Sequence, residues 1–215
     1  MQRQQAIQEL IQAGKWIADK NMTWGSAGNM SVRLDEDTLL ITAGGTRFDS
    51  LSEDSFTLYH LHNGEYEGGR PSKELPVHLA VYRAVPWAQA VVHASPFHTT
   101  LAACSDLALP NDLFVENMYY LQRVRRIAYF HPGSQALAQA VQQAAPDGNV
   151  ILMNNHGVLI YDVNLAEALT GLEVTENTCR MALAARQAGL TLTPVDAETV
   201  HSFLNDSGYK KPRKW

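Results

Sequence analysis

The sequence predicts a mixed α/β fold built as one domain over residues 1–215, and three observations carry that prediction. Two short apolar runs, Ala90–Val92 and Val150–Met153, each lead to a histidine, His93 and His156. Such a run reads as a buried strand that carries a polar group to its tip, where α/β sites tend to lie. Apolar residues also recur at helical spacing, as in Ile7, Leu10, Ile11, Trp16 and Ile17. No internal repeat or linker divides the 215 residues, a length that one hydrophobic core can organise.

In chain order, residues 3–20 form an amphipathic first helix, weakened a little by Gly14. A turn-rich passage, 21–28, leads to a strand at Met30–Leu34, a turn at Asp35-Glu36-Asp37 and a returning strand at Thr38–Thr42. After the glycine loop Ala43–Thr46, residues 55–67 read as a further hairpin, with Phe56–His62 as its first strand and Asn63-Gly64 as its turn. Glu74 opens a helix that runs to about Val85. A strand at 89–93 and a helix at Pro96–Ser105 follow. Residues 107–130 read as irregular, rich in Phe114, Met118, Tyr119 and Tyr120, with a short strand at Ile127–Phe130. A helix at Ser134–Ala145 precedes a strand at Val150–Asn155 and an adjoining one at Val158–Tyr161. The long helix Asn164–Ala188 takes Asn164 as its N-cap and Gly189 as its terminator. The basic tail from Ser207 to Trp215 is expected to be mobile.

Composition narrows the function. Apolar residues make up 46% and charged residues 18%, which is ordinary for a globular protein. The net charge of −5 argues against a nucleic-acid-binding surface. One basic cluster, Arg123–Arg126, reads better as a solvated face than as a phosphate site. Residues 1–5 carry no apolar secretory segment, and no run approaches the length of a membrane span. Cys104 and Cys179 have neither metal nor redox spacing; they read as buried small residues in a reducing, cytoplasmic setting.

The chemistry-bearing residues fall into two groups. Three loops, 25–29, 43–46 and 68–73, combine glycine with serine or threonine. Loops of this kind expose backbone N–H groups that cradle phosphate. Asn29 and the loop hydroxyls add donors, and Lys73 adds charge. The second group is the histidines. Imidazole suits first-row divalent ions, and His93 and His156 sit at strand ends. Glu74, at a helix start, reads as a general base or a reversible ligand, against the plainer reading of an acid placed by the helix dipole. His78 lies four residues on, on the same helix face, and reads as either a ligand or a core histidine. His60, His62, His131 and His201 read as surface or packing residues.

Five blocks in order carry a resemblance: Gly25–Arg33, Ile41–Gly45, Arg70–Glu74, Ala90–His93 and Asn155–Gly157. Together they resemble the class II aldolase/adducin family, typified by L-fuculose-1-phosphate aldolase, over nearly the whole chain. Pro71-Ser-Lys-Glu74, the helix from His78 to Arg83 and Ala128–Gly133 are most similar to its 3-oxo-tetronate 4-phosphate decarboxylase branch. The resemblance implies a three-layer sandwich, helices on a largely antiparallel sheet, in a homotetramer with active sites between subunits. It implies a cytoplasmic lyase that works on a small phosphorylated sugar or sugar acid through a metal-stabilised enediolate, with zinc the usual metal. By match, His93 and His156 are metal ligands, and Ser26, Gly28, Asn29, Gly44, Gly45 and Ser72 hold phosphate, with Lys73 beside them. Glu74 is the acid/base, Tyr209 falls at the family's C-terminal tyrosine, and Tyr119 or Tyr120 stands near its catalytic tyrosine.

One departure matters. The family carries His-x-His at the strand end, but here the register gives His93-Ala94-Ser95. Serine is a poor neutral ligand for zinc, so His98, His78 or Glu74 completes the shell, or the metal is weak or lost. The retained Glu74, Lys73, Asn29 and glycine loops favour a decarboxylase, then an aldolase of the fuculose-phosphate type. The rival is a catalytically silent, adducin-like binding module.

Overall fold

The computed structural model describes residues 2–213. Its elements in order are α1 (Arg3–Asp19), β1 (Asn29–Arg33), β2 (Thr38–Thr42), β3 (Phe56–His60), β4 (Tyr66–Gly68), α2 (Leu75–Ala84), β5 (Ala90–Ala94), α3 (Phe97–Ala103), α4 (Val115–Tyr120), β6 (Val124–Ile127), α5 (Gln135–Ala144), β7 (Val150–Met153), β8 (Gly157–Asp162), α6 (Leu165–Ala188) and α7 (Ala197–Asp206).

Among the described residues the strands make one eight-stranded sheet in the order β4-β3-β2-β1-β5-β8-β7-β6. Every pairing is antiparallel except β6 with β7. Successive side chains of a strand point to opposite faces, so each buried strand feeds two cores. Met30, Val32, Ala90, Val92, Leu152 and Ile160 face α1 and α6. Val91, Ile151, Leu159 and Tyr161 face α2 and α5. The result is three layers, helices on either side of a largely antiparallel sheet, as the resemblance implies. No helix among the described residues is long and apolar enough to cross a membrane.

Local chemistry sets the boundaries. Asn164 accepts a hydrogen bond from the Glu167 N–H (2.8 Å), and Gly189 closes α6 in the left-handed region at φ 68°. Ser134 caps α5 in the same way through the Leu137 N–H. Two expectations are corrected. The irregular stretch 107–130 contains α4, and its strand lies at Val124–Ile127 rather than Ile127–Phe130. Arg123, Arg125 and Arg126 are exposed, as expected of a solvated face, and Arg126 also reaches the carbonyls of Ala102, Ser105 and Leu107 and the Asn154 side chain. Cys104 is exposed; only Cys179 is buried, and both are free thiols.

The basic tail is not loose over its described part. Arg213 grips Asp162 through both guanidinium nitrogens (2.6 and 3.2 Å), and Lys210 holds Glu167 at 2.6 Å. Residues 214 and 215, also within the expected mobile tail, lie outside the described residues.

Candidate active site and metal centre

The period of two along β1 and β5 aims the site. Asn29 and Ser31 share one face of β1, and His93 stands opposite Asn29 on β5, on the face covered by α2. Glu74 is the N-cap residue of α2, at the end of the helix nearest these strand tips. The tight turn between β7 and β8, with Asn155 at φ 56°, presents His156 beside them.

These placements bring three donors together. The Glu74 carboxylate lies between two imidazoles, with Oε2 3.2 Å from His93 Nε2 and Oε1 3.2 Å from His156 Nε2. The two rings meet edge-on, 4.8 Å between centroids. Close approach of the backbone is needed to seat His93. Gly28 has φ +96°, and a Cβ there would lie 2.8 Å from the His93 carbonyl oxygen. On the other side, a Cβ at Gly157 would lie 2.7 Å from the Ala94 carbonyl oxygen and 3.3 Å from the His93 ring. Both positions admit only glycine without displacement of the ligand strand.

A directed hydrogen-bond chain orients Glu74. Its Oε2 accepts from Asn29 Nδ2 (3.0 Å), so Asn29 Oδ1 faces His78 Nε2 at 2.5 Å and must accept from it. His78 Nδ1 is therefore the acceptor for the Ser31 hydroxyl (2.7 Å), and Ser31 in turn lies 2.9 Å from the Tyr82 hydroxyl. His78 is fully buried, and burial pushes its pKa down to about 3, against the opposing pull of the Glu74 charge. His78 is thus a neutral support of the site, which settles the two readings left open for it.

The donor set fits a divalent cation. His93 Nδ1 lies 3.0 Å from the Val158 carbonyl, an acceptor only, so Nδ1 carries the hydrogen and Nε2 presents a lone pair in the neutral ring. That lone pair faces the Glu74 carboxylate, another acceptor, at 3.2 Å. A proton or a cation must lie between them. Burial of His93 lowers its pKa and disfavours the proton, although the Glu74 charge works the other way. Burial alone would raise the Glu74 pKa, but the His93 charge, the adjoining His156 ring and the hydrogen bond from Asn29 outweigh it and hold the carboxyl well below the usual range. Glu74 Oε1 is buried without a hydrogen-bond partner, the mark of a site completed by something else.

Beside this group lies a concavity of about 630 Å³, within the usual range for small-molecule sites. Ser26, Gly28, Asn29, Gly44, Gly45, Ser72, Lys73 and Glu74 all border it, together with His93 and His156. The loops are tied side by side: the Gly44 N–H donates to the Arg70 carbonyl (2.8 Å) and the Ser72 N–H to the Thr42 carbonyl (3.1 Å). Sequence reasoning missed Arg70, a second exposed cation on the rim. Its place in the Arg-Pro-Ser-Lys block beside Lys73 was the available signal. The Asn29 amide is committed to Glu74 and His78, so its side chain orients the site rather than reaching into the cradle.

Three candidates lie elsewhere. His98 does not join the metal group; its Nδ1 and backbone N–H are both held by Glu176 of α6, at 2.7 and 3.0 Å. Glu74, not His98, is the third donor that the structure brings to His93 and His156. Tyr119 and Tyr209 stack edge-on, 5.9 Å apart, in a cluster with Phe203 that does not border the concavity. Ser95, where a second histidine was expected, borders the concavity and turns its hydroxyl to the His156 carbonyl at 3.4 Å. It steadies the turn that carries His156.

Fold and site together define a lyase of the metal-dependent class II kind. The chain belongs to the family described as Class II Aldolase and Adducin N-terminal domain, whose model matches residues 8–183. It is 32% identical over 176 residues to a 3-oxo-tetronate 4-phosphate decarboxylase of Haemophilus influenzae, covering 80% of this chain and 84% of that protein. It is 29% identical over 170 residues to an L-fuculose phosphate aldolase of Escherichia coli, with 79% and 78% covered. Among solved structures, YgbL from Klebsiella pneumoniae superposes with a TM-score of 0.83 at 30% identity, covering 94% of this chain and 99% of that one.

Proposed function

We propose that the protein decarboxylates a small phosphorylated β-keto sugar acid of the 3-oxo-tetronate 4-phosphate kind. The observation that carries this reading is the Glu74–His93–His156 group set beside three phosphate-cradling loops. His93, His156 and Glu74 would hold the divalent ion, for which the two imidazoles favour zinc. When bound, such an ion supplies a Lewis acid for the substrate's oxygens.

The chain's own residues do the rest. Ser26, Gly44, Gly45 and Ser72 offer donors to the phosphate, while Lys73 and Arg70 balance its charge. That anchoring sets the distance from the phosphate to the carbon that loses its carboxylate. As the carboxylate leaves as carbon dioxide, the electron pair stays on the carbon beside the ketone and a proton replaces the lost group. That proton comes from water, and Glu74, on the border of the concavity, would relay it to the carbon. Aldol cleavage in the manner of a fuculose-phosphate aldolase uses the same electron sink, but adds a base for a departing hydroxyl. Tyr119 and Tyr209 are the candidates for that base, and reach a Glu74 only across a subunit boundary. A homotetramer provides such boundaries, and exposed Phe97, Leu101 and Met181 on the packed pair α3 and α6 supply apolar surface for it. Two free thiols and the proposed phosphorylated substrate support a cytoplasmic setting.

The test is metal analysis of protein purified without chelator, followed by carbon dioxide release from 3-oxo-tetronate 4-phosphate and cleavage of fuculose 1-phosphate. Bound zinc and release of carbon dioxide are expected. Cleavage of fuculose 1-phosphate alone would move the assignment to the aldolase. Protein with no transition metal and no turnover on added zinc or manganese would leave only the silent module.

A further inference from the structure

We propose that Asp37, His60 and His62 form a second divalent transition-metal site, at the opposite end of the sheet from the Glu74 group. The strands separate the two places. Asn29, Thr42 and Phe56 lie at the active-site ends of β1, β2 and β3, whereas Arg33, Thr38 and His60 lie at the far ends, with Thr38 paired to His60. The four steps along a five-residue strand set the two ends roughly 13 Å apart.

At the far end, Asp37 closes the β1–β2 turn, and His60-Leu61-His62, the one His-x-His in the chain, closes β3. Asp37 Oδ2 lies 2.6 Å from His62 Nδ1 and 3.5 Å from His60 Nδ1, and the three donor atoms lie within 4.8 Å of one another. Tetrahedral zinc, with bonds of about 2.0–2.2 Å, draws its donors to roughly 3.3–3.5 Å, a shift of about one ångström from these positions.

Two further features distinguish the cluster from an ordinary surface ion pair. The carboxylate is fixed by backbone: the His62 N–H donates to Asp37 Oδ1 (2.9 Å), and the Leu61 N–H donates to the Asp37 carbonyl (2.7 Å). Asp35 Oδ1 in turn accepts the N–H groups of Asp37 and Thr38, which shapes the turn in advance. Behind His60, Glu67 Oε1 stands 3.8 Å from Nε2. Glu67, whose other oxygen is held by Arg3, would need to close by about 0.8 Å to hydrogen-bond that nitrogen and fix the tautomer of a metal-bound imidazole. Two imidazoles and one carboxylate, with an open fourth position, select zinc, copper or nickel over magnesium or calcium. With the Asp37 side chain 39% and His62 64% exposed, the ion would exchange with solvent, and it would clip the β3–β4 hairpin to the β1–β2 turn.

Zinc titration of chelator-stripped full-length protein tests this, with His60→Ala/His62→Ala and Asp37→Asn compared with wild type and with His93→Ala. The double variant should lose one zinc equivalent while keeping wild-type lyase activity. Asp37→Asn should weaken the same equivalent at least about tenfold, and His93→Ala should retain it. Zinc stoichiometry and affinity unchanged in the double variant would overturn the site. Failure of the catalytic reading appears separately, as a His93→Ala titration identical to wild type.

Discussion

Asn29 shows how much a single amide decides. With Nδ2 on Glu74 and Oδ1 on His78, the amide can face only one way, and the hydroxyls of Ser31 and Tyr82 lock the ring behind it. Asn29→Asp keeps the shape but sets a second carboxylate oxygen against Glu74 Oε2. Loss of such an outer partner costs about 10–100-fold in metal affinity or activity. The fall should appear in kcat and in zinc affinity, with KM little changed because the phosphate loops are intact; an altered KM alone would mean that Asn29 serves the phosphate directly. Gly28→Ala tests the other constraint on His93. A strained φ of +96° costs about 1–3 kcal/mol, and in a chain of this size the melting temperature should fall about 2–4 °C for each of them. At this scale the sequence was informative about identity and silent about orientation. His93, His156 and Glu74 were legible as strand-end and helix-start residues. Glu74 was legible as one of three residues able to complete the shell at Ser95, with His98 and His78, but spacing alone does not choose among them. His98 is the second residue of α3, held away from the group by Glu176, which is 78 positions away in sequence.

The elements were legible where period and caps agree. β5, β7 and α6 show continuous apolar runs or capped helical spacing, and the structure returns them within a residue or two. α4 is six residues long, too short to show a period, and α7 buries none of its residues, so neither writes a clear pattern. β6 is an edge strand whose arginines hide the alternation. The α2–β1 contact also makes a pH prediction. His78 faces Glu74 from its own helix, His93 from β5 and Tyr82 with Arg33 stacked upon it. Its folded pKa, about 3, lies below the unfolded value near 6.5, so the unfolded chain binds the extra proton between those values. The resulting stability is fully present above about pH 6.5 and is lost as the pH falls towards 3, at up to about 1.4 kcal/mol per unit. In urea unfolding of metal-free protein, wild type should lose roughly 2 kcal/mol more than His78→Gln between pH 6.5 and 5. Parallel slopes for the two proteins would show that His78 is not held neutral by the fold.

Across the whole molecule, the tail returns to the body of the fold. Arg213 and Asp162 are 51 residues apart in sequence, which is why a basic C-terminus reads as solvated until the partner is seen. Both side chains are nearly buried, at 7% and 3% exposure. Arg213→Ala strands the Asp162 charge and should cost about 3 kcal/mol, measured by chemical unfolding. The same anchoring holds Tyr209 against Tyr119, on the described chain but away from its own Glu74 concavity. If a closed ring of four subunits pairs each Glu74 with a neighbour's Tyr209 as the base for aldol cleavage, two variants inactive in that cleavage should complement. Glu74→Gln and Tyr209→Ala, mixed in equal amounts after unfolding and refolding together, place an intact Glu74 opposite an intact Tyr209 at about one site in four. About a quarter of wild-type activity should therefore return on mixing, and none when the two are refolded apart. Activity that stays at the level of the separate variants would mean that the site is completed within one chain, and that the tyrosines serve the tail's anchoring alone.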